Sequence, residues 1–200
     1  ITTTIYNDPF TRATVTEPWV YWDDGFSDDE LKKIIEYCDN FELHKGTIFG
    51  GENLQTRNSD VKFHNRNKDN AWIFDRLNFI IQSANEMFYG FELNGYDSFQ
   101  YTTYGKEDNQ HYDWHMDIAL GKTKEQSPLI RKLSLSLLLN DEFEGGEFHI
   151  NDGNETKPTL IPTKKGRAIL FPSFMIHRVT PVTKGIRKSI VFWVLGPKFT

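Results

Sequence analysis

The spacing of apolar residues changes along the chain, from a helical period in the first half to an alternating period in the second. The segment 27–30, Ser-Asp-Asp-Glu, has the capping-box arrangement that begins many helices. An apolar stripe at helical spacing follows it and consists of Leu31, Ile34, Ile35 and Cys38. The same spacing returns from about Asn70 to Tyr89 and stops at Gly90, a residue type that commonly ends helices. The pattern predicts two amphipathic helices that pack on another layer.

Beyond Gly95 the apolar period becomes two, which is typical of β-strands. In the segment Lys132–Asn140, alternate leucines lie on one face, and Ser134 and Ser136 lie on the other. Gly-Gly, Asp-Gly and Pro-containing turns separate further short strands, predicted at Glu147–Ile150, Arg167–Phe171, Ile176–Thr180 and Arg187–Leu195. Helices followed by many short strands favour an α+β fold, in which N-terminal helices support a C-terminal sandwich or barrel.

The 200 residues are enough for one domain with its own core. We expect one domain over residues 1–200, with the helical support and first strands in 1–95 and the core in 96–200. The chain has 23 Lys and Arg residues against 28 Asp and Glu residues, a net charge of −5, and no long charged block. This balance disfavours a nucleic acid or an anionic membrane as the partner.

Two further features bear on where the protein works. The longest apolar run, Ile190 to Leu195, is much shorter than a membrane helix, and residues 1–20 lack the apolar core of a signal peptide. The single cysteine, Cys38, lies within an apolar helical stripe and is expected in the core. A reducing compartment fits this cysteine, so we expect a soluble, cytoplasmic protein.

The stretch 111–117, His-Tyr-Asp-Trp-His-Met-Asp, contains the pattern His-x-Asp twice. Residues two apart on a strand point to the same side, so His115 and Asp117 would present an imidazole and a carboxylate to one point. The apolar residues that alternate with this pair are expected to pack into a core on the opposite face; they are Trp114, Met116 and Ile118. The second pair is therefore the candidate metal site.

The first pair, His111 and Asp113, has the same spacing but follows the polar run 106–110, which predicts a loop. We therefore place this pair at an exposed rim, where water is not excluded. It is expected to contact a substrate at most.

His177 is the candidate third ligand, because it lies in a short apolar strand where an unsatisfied imidazole would be costly. Two histidines and one carboxylate form the facial triad of non-heme Fe(II) oxygenases, which leaves metal positions open for substrate and dioxygen. The alternative is that a lone His-x-Asp arises by chance and that His177 is an ordinary core histidine.

Arg187 and Ser189 share strand parity with the apolar residues Val191, Trp193 and Leu195. A charged guanidinium on such a face needs an anionic partner, because an unpaired buried charge is very costly. A ligand carboxylate would satisfy both side chains through charge-assisted hydrogen bonds. An internal ion pair with one of the acidic residues is the alternative.

A set of motifs between Phe99 and Pro197 resembles, in the same order, the 2-oxoglutarate- and Fe(II)-dependent oxygenases of the prolyl 4-hydroxylase type. The motifs are Tyr104-Gly105, Tyr112-x-x-His115-x-Asp117, Arg131-Lys-Leu133-Ser-Leu-Ser-Leu137, Glu144-Gly-Gly-Glu147, Phe171-Pro172, His177-Arg-Val-x-Pro-Val182 and Gly185-x-Arg187. The nearer likeness is to phage and bacterial hydroxylases of this type. The resemblance implies a double-stranded β-helix, or jelly-roll, core in which His115, Asp117 and His177 hold Fe(II).

The resemblance also implies where 2-oxoglutarate binds. Its distal carboxylate would lie on Arg187, where many relatives have lysine, and Ser189 completes an Arg-x-Ser pair like that of other branches of the superfamily. Tyr104 matches the tyrosine that hydrogen-bonds the co-substrate, and Tyr101 is the alternative.

The family reaction couples decarboxylation of 2-oxoglutarate, which gives succinate and CO2, to hydroxylation of an unactivated C–H bond by dioxygen. The resemblance therefore implies an enzyme whose substrate is a peptidyl residue such as proline or a small free metabolite. Asp117 favours hydroxylation, because related halogenases lack this carboxylate. Ascorbate, an auxiliary of several relatives, is a candidate additional ligand. A catalytically silent jelly roll that keeps the metal for structure is the competing hypothesis, and a nucleic-acid demethylase is disfavoured by the charge.

The remaining polar candidates carry weaker expectations. We interpret His44 and His64 as ordinary polar residues, and His149 as a surface residue or a neighbour of the site. Solvated positions are expected for Arg57 and Arg66, although both could line a substrate entrance. Trp193 is expected either to wall the pocket or to pack in the core.

Overall fold

The computed structural model describes residues 17–48, 51–118, 128–153 and 157–199. The strands in this part of the chain are β1 (Val20–Trp22), β2 (His44–Lys45), β3 (Arg57–Asn58), β4 (Asp60–Asn65), β5 (Ser98–Gly105), β6 (His111–His115), β7 (Leu129–Leu138), β8 (Phe143–Gly145), β9 (Phe148–Asn151), β10 (Thr159–Leu160), β11 (Ala168–Pro172), β12 (Ile176–Val179) and β13 (Val182–Pro197). They form two antiparallel sheets. The larger sheet has the order β1-β11-β7-β13-β5-β4-β2 with β8 beside β13, and the smaller has the order β10-β9-β12-β6-β3.

Both predicted helices are present. Helix α1 (Asp28–Asp39) begins with the predicted capping box, in which the Glu30 backbone N–H donates to Ser27 Oγ at 3.3 Å and the Ser27 N–H donates to Glu30 Oε2 at 2.8 Å. Helix α2 (Ala71–Ala84) continues into a wider π-helical turn, Asn85–Tyr89. Gly90 ends this turn with φ +61°, a left-handed conformation that glycine adopts without strain.

The two faces of the large sheet have different neighbours. Alternate leucines of β7, such as Leu133 and Leu135, share a hydrophobic cluster with Leu31 of α1 and Leu77 of α2. Cys38 is fully buried in the same cluster, which confirms its prediction as a core residue. Ser134 and Ser136 point to the opposite face, as the period of two predicts.

That opposite face lies against the small sheet. A second hydrophobic cluster joins Tyr104 of β5 and Phe171 of β11 to Phe148 of β9 and Val179 of β12. Two antiparallel sheets packed in this way form the jelly-roll core that the motifs imply. No helix in the described ranges has the length and apolar character needed to span a bilayer.

Candidate functional site

A cavity of about 550 Å³ lies between the two sheets. Side chains of both sheets line it, among them Arg57, His115, His177 and Arg187. Asp117, which follows β6, also lines the cavity. Every site residue predicted from the sequence, namely His115, Asp117, His177, Arg187, Ser189 and Tyr104, contributes to this lining.

His115, Asp117 and His177 bring their ligand atoms to one point of the cavity. His115 is the last residue of β6, and His177 lies opposite it on β12 in the strand register. His115 Nε2 is 3.7 Å from Asp117 Oδ1, and His177 Nε2 is 3.6 Å from Asp117 Oδ2. One ligand atom from each residue lies within 4.8 Å of the others, which is close enough for a single metal ion to bridge them.

The hydrogen bonds of the two imidazoles suit them to metal binding. His115 Nδ1 lies 2.7 Å from the carbonyl oxygen of Asp113, and His177 Nδ1 lies 3.0 Å from that of Met175. A carbonyl oxygen only accepts, so each Nδ1 carries the proton and each Nε2 keeps a lone pair directed at the cavity. Two imidazole nitrogens and one carboxylate oxygen form a donor set that fits Fe(II) with open coordination positions.

The protonation states of the cluster favour the same role. Burial and the neighbouring His177 lower the pKa of His115 to about 3. Burial acts to raise the pKa of Asp117, but His177, His115 and Arg131 outweigh it and hold this pKa below its usual value. At neutral pH His115 is therefore a neutral imidazole and Asp117 a carboxylate, the forms that bind a metal.

The backbone at Asp117 differs from the prediction, which placed Asp117 on the same strand as His115. Strand β6 ends at His115, and Asp117 follows it in a bend, where its backbone N–H donates to Ser173 O at 3.0 Å. The expectation that Trp114, Met116 and Ile118 pack into a core on the opposite face is wrong for two of the three residues. Met116 is 42% exposed, and Trp114 lies outside the core clusters, with its ring centroid 6.4 Å from that of His149. Ile118 is buried, but it lines the same cavity as Asp117.

The first His-x-Asp pair lies outside the cavity lining. His111 is the first residue of β6 and directly follows the predicted loop 106–110, in which Glu107–Asn109 form a single 3-10 turn. The His111 ring nitrogens lie 2.9 Å and 3.0 Å from the carbonyl oxygens of Asn109 and Gln55. Asp113 is exposed.

Arg187 is buried in the cavity wall without an acidic partner. It is 2% exposed, and its Nη1 donates to Ser189 Oγ at 3.0 Å. In the described part of the chain, no carboxylate lies within ion-pair distance of this guanidinium, and its Nε has no hydrogen-bond acceptor. Burial lowers the pKa of Arg187, which reflects the cost of the uncompensated charge. The site therefore offers a fixed cation to a ligand carboxylate.

The two candidate tyrosines lie on opposite faces of β5. Tyr104 pairs with Arg187 in the strand register, and its ring centroid is 5.7 Å from the Arg187 guanidinium. Tyr101 belongs to the core cluster on the helix side, and its hydroxyl donates to Asp39 Oδ1 at 2.7 Å. Only Tyr104 lines the cavity.

Arg57 lines the cavity, so the preferred expectation of a solvated position is wrong for this residue. It is 7% exposed rather than solvated, and its guanidinium lies 4.6 Å from the ring centroid of Tyr112. The Tyr112 ring stacks in turn on His115, with 3.4 Å between centroids. Strand β3 has only two residues and gives no periodic signal, so this burial follows from pairing with β6 and not from local sequence.

The other secondary candidates divide between the cavity and the surface. Trp193 lines the cavity, and Arg131 stacks on it with 3.7 Å between guanidinium and ring centroid. Arg66 forms a partly exposed ion pair with Asp75, as expected of a solvated residue. His149 contacts Arg178 outside the cavity lining.

The cavity of this two-sheet jelly roll contains two histidines, one carboxylate and a buried arginine. This combination of fold and site is characteristic of the non-heme metal oxygenases. Residues 99–195 match the sequence model of the 2OG-Fe(II) oxygenase superfamily. This match covers the part of the chain that contains His115, Asp117, His177 and Arg187, and the name of the superfamily specifies Fe(II) and 2-oxoglutarate.

Individual relatives agree with this assignment. A PKHD-type hydroxylase of Verminephrobacter eiseniae is 35% identical over 94 residues, which are 46% of this chain and 40% of the relative. This chain thus spans about 40% of the length of the curated relatives that it matches.

Solved structures show the same fold at low sequence identity. A Pseudomonas putida prolyl-4-hydroxylase superposes with a TM-score of 0.70 and 16% identity, over 90% of this chain and 93% of that one. A Trichoplax adhaerens prolyl hydroxylase, solved with a peptide fragment of hypoxia inducible factor, gives a TM-score of 0.72 and 16% identity, over 90% and 84% of the two chains. The fold is therefore prolyl 4-hydroxylase-like.

Proposed function

We propose that this protein is an Fe(II)- and 2-oxoglutarate-dependent dioxygenase that hydroxylates an unactivated C–H bond. The observation that carries the proposal is the placement of His115, Asp117 and His177 in the same cavity as the buried Arg187. In this assignment the three ligands hold Fe(II). Bound Fe(II) supplies the oxidation of the C–H bond by dioxygen, while 2-oxoglutarate leaves as succinate and CO2.

The protein residues bind and orient the co-substrate. Arg187 offers its guanidinium to the distal carboxylate of 2-oxoglutarate, and Ser189 holds the Arg187 Nη1 at 3.0 Å. Tyr104, across the strand pair from Arg187, contributes a hydroxyl to the same co-substrate. Apolar side chains such as Phe148 and Phe171 limit the access of water to the site.

A purely structural metal site would not need a buried cation without an acidic partner. Arg187 therefore favours an enzyme over a silent jelly roll that keeps the metal for stability. We assign α1 and α2 the role of supporting the large sheet, on the basis of the hydrophobic cluster that they share with it.

For the substrate, we propose a peptidyl residue such as proline. Two observations support this choice: relatives named PKHD-type hydroxylases, and a prolyl hydroxylase of the same fold solved with a peptide fragment. A small free metabolite is the second candidate, because the charged and enclosed parts of the cavity lining suit a compact polar ligand.

The decisive experiment is anaerobic reconstitution with Fe(II) and 2-oxoglutarate, followed by visible absorption spectroscopy. We expect a metal-to-ligand charge-transfer band that needs both additions. Absence of the band, with Fe(II) shown to be bound, would refute the oxygenase assignment. Succinate production in air, screened over proline-containing peptides and free amino acids, then tests the substrate. The effect of ascorbate is tested in the same assay.

A further inference from the structure

The described lining of the cavity contains more positive than negative side chains. Three arginines, Arg57, Arg131 and Arg187, contribute to it, whereas Asp117 is the only acidic residue in that lining. Under the proposed function, Asp117 holds the metal and Arg187 holds the distal carboxylate of 2-oxoglutarate. Among the described residues, Arg57 and Arg131 then have no carboxylate at ion-pair distance, although the more distant charge of Asp97 acts on Arg131.

Arg57 is held in place by neutral groups. Its Nε donates to Ser59 Oγ at 3.0 Å, its Nη1 to Thr47 O at 2.9 Å, and its Nη2 to Gln100 Oε1 at 3.2 Å. These bonds fix the guanidinium plane but leave its charge uncompensated by any carboxylate in the described ranges. A guanidinium has five N–H groups, so Arg57 keeps donors for a ligand in the cavity.

Arg131 also lines the cavity, next to the proposed metal ligand Asp117. Its Nη1 donates to the backbone oxygen of Asp117 at 3.3 Å, and its guanidinium lies 3.7 Å from the Trp193 ring centroid. Asp117 is not within ion-pair distance through its carboxylate, and the metal would take up that negative charge. The face of Trp193 attracts a cation but carries no net charge.

Both guanidiniums lie next to residues of the proposed metal site, which is formed by His115, Asp117 and His177. Arg57 lies on Tyr112, whose ring stacks on His115, and Arg131 bonds the backbone of Asp117. A group that binds either guanidinium inside the cavity would therefore lie close to the proposed metal site, where the carbon to be oxidised must also lie. An anion is the group that best compensates two partly desolvated cations.

We propose that the primary substrate carries a carboxylate near the hydroxylated carbon, and that Arg57 and Arg131 bind it. This inference rests on the proposed function and narrows its substrate class. A free α-carboxylate and an acidic side chain in a peptide have this chemistry in common. A neutral peptidyl proline without a nearby acid does not fit it.

The test is calorimetric titration of the full chain loaded with Mn(II) and 2-oxoglutarate, with two matched pairs of probes. The first pair is N-acetylproline and its amide, and the second is N-acetyl-Pro-Glu amide and N-acetyl-Pro-Gln amide. We expect the acidic member of at least one pair to bind at least about tenfold more tightly than its neutral partner. A difference in affinity within the first pair would show recognition of a free α-carboxylate. A difference within the second pair would show recognition of an acidic side chain.

Substitutions then assign the preference to the two arginines. Arg57→Gln and Arg131→Gln should each reduce it severalfold, whereas Arg57→Lys should retain most of it. Arg66→Gln is the matched control, because it removes an arginine whose ion pair with Asp75 is partly exposed. Thermal unfolding and 2-oxoglutarate affinity, measured on each variant, show that the fold and the co-substrate site are intact.

Three results would overturn the inference: equal affinity within both pairs, no binding of either acidic probe, or an unchanged preference in both glutamine variants that fold. If the wild-type chain binds metal and 2-oxoglutarate but shows no acid preference, only this inference fails. If it does not bind 2-oxoglutarate, the proposed function itself fails.

Discussion

Ser134 Oγ donates a 2.7 Å hydrogen bond to Asp117 Oδ2 and lies 2.9 Å from Ser173 Oγ. Because the Ser134 proton is directed at Asp117, Ser173 is the donor between the two serines. The backbone oxygen of Ser173 also accepts from the Asp117 N–H at 3.0 Å. Two buried serines thus hold both the backbone and the carboxylate of a proposed metal ligand that no strand supports.

Ser134→Ala should weaken metal binding by about tenfold, because the freed carboxylate loses its fixed orientation. Titration of the apo chain with Mn(II) measures the dissociation constant. Ser136→Ala is the matched control, since Ser136 lies on the same face of β7 and lines the cavity. Equal affinities in the two variants would show that the hydrogen bond does not orient Asp117 for the metal.

Substitution of the two neighbouring histidines should separate the two His-x-Asp pairs. His115→Ala removes an Nε2 directed at the cluster and should abolish stoichiometric Fe(II) binding. His111→Ala removes a ring whose hydrogen bonds in the described part of the chain are to backbone carbonyls, and it should leave metal affinity within about twofold. Metal content after anaerobic loading and desalting provides the measurement. The reverse result would transfer the site to the first pair.

Gly146 should be needed for 2-oxoglutarate binding through its contact with Arg187. Its φ is +60°, and an added Cβ would lie 2.9 Å from Arg187 Cδ and 3.0 Å from Val182 Cγ2. Gly146→Ala should therefore displace the guanidinium and weaken 2-oxoglutarate binding. We expect a loss of about tenfold, less than the roughly hundredfold loss expected for Arg187→Ala, with metal still bound in both.

Gly153→Ala separates this contact from general backbone strain. Gly153 also has a positive φ, +97°, but an added Cβ there would meet no atom of the described residues within 4 Å. Calorimetric titration with 2-oxoglutarate should give a wild-type affinity for Gly153→Ala. If both alanine variants lose affinity equally, strain and not the displacement of Arg187 explains the effect.

The features predicted correctly from the sequence depend on local spacing. The Ser27 capping box and the helical stripe after it involve residues within a few positions of one another, and α1 has both. The alternation along β7 likewise predicts which side chains face the helices and which face the cavity. His115 and Asp117 are only two residues apart in the chain. Their ligand atoms therefore lie close together, although Asp117 is not on the strand as the sequence analysis assumed.

The features that were missed depend on contacts between distant segments. The burial of Arg57 requires Gln100, 43 residues away, and Tyr112 on the neighbouring strand. Asp117 is placed by Ser134 and Ser173, which come from two other strand regions. None of these residues carries a local pattern that marks its partner, so composition and periodicity contain no signal for them.

His64 was also misjudged, since it is a core residue and not an ordinary polar one. It is 4% exposed, and its ring centroid lies 4.8 Å from that of Phe41 and 5.0 Å from that of Phe99. Its Nε2 has no hydrogen-bond partner among the described residues. Burial, with a smaller effect of Lys62, lowers the pKa of His64 from 6.5 to about 4.

The low pKa of His64 predicts that the chain loses stability as the pH falls. Below pH 6.5 the unfolded chain binds a proton at His64 that the folded chain does not, down to about pH 4. The free energy of unfolding should therefore fall by up to about 2 kcal/mol between pH 7 and pH 5 through this group alone. Urea unfolding of the apo chain at both pH values measures the difference.

His64→Phe introduces a side chain that suits the aromatic surroundings and does not titrate. This variant should lose the contribution of His64 to the pH dependence of the free energy of unfolding. Substitution of the exposed His44 by Phe serves as the control. An equal pH dependence in the wild type and His64→Phe would mean that His64 is protonated in the folded chain as readily as in the unfolded one.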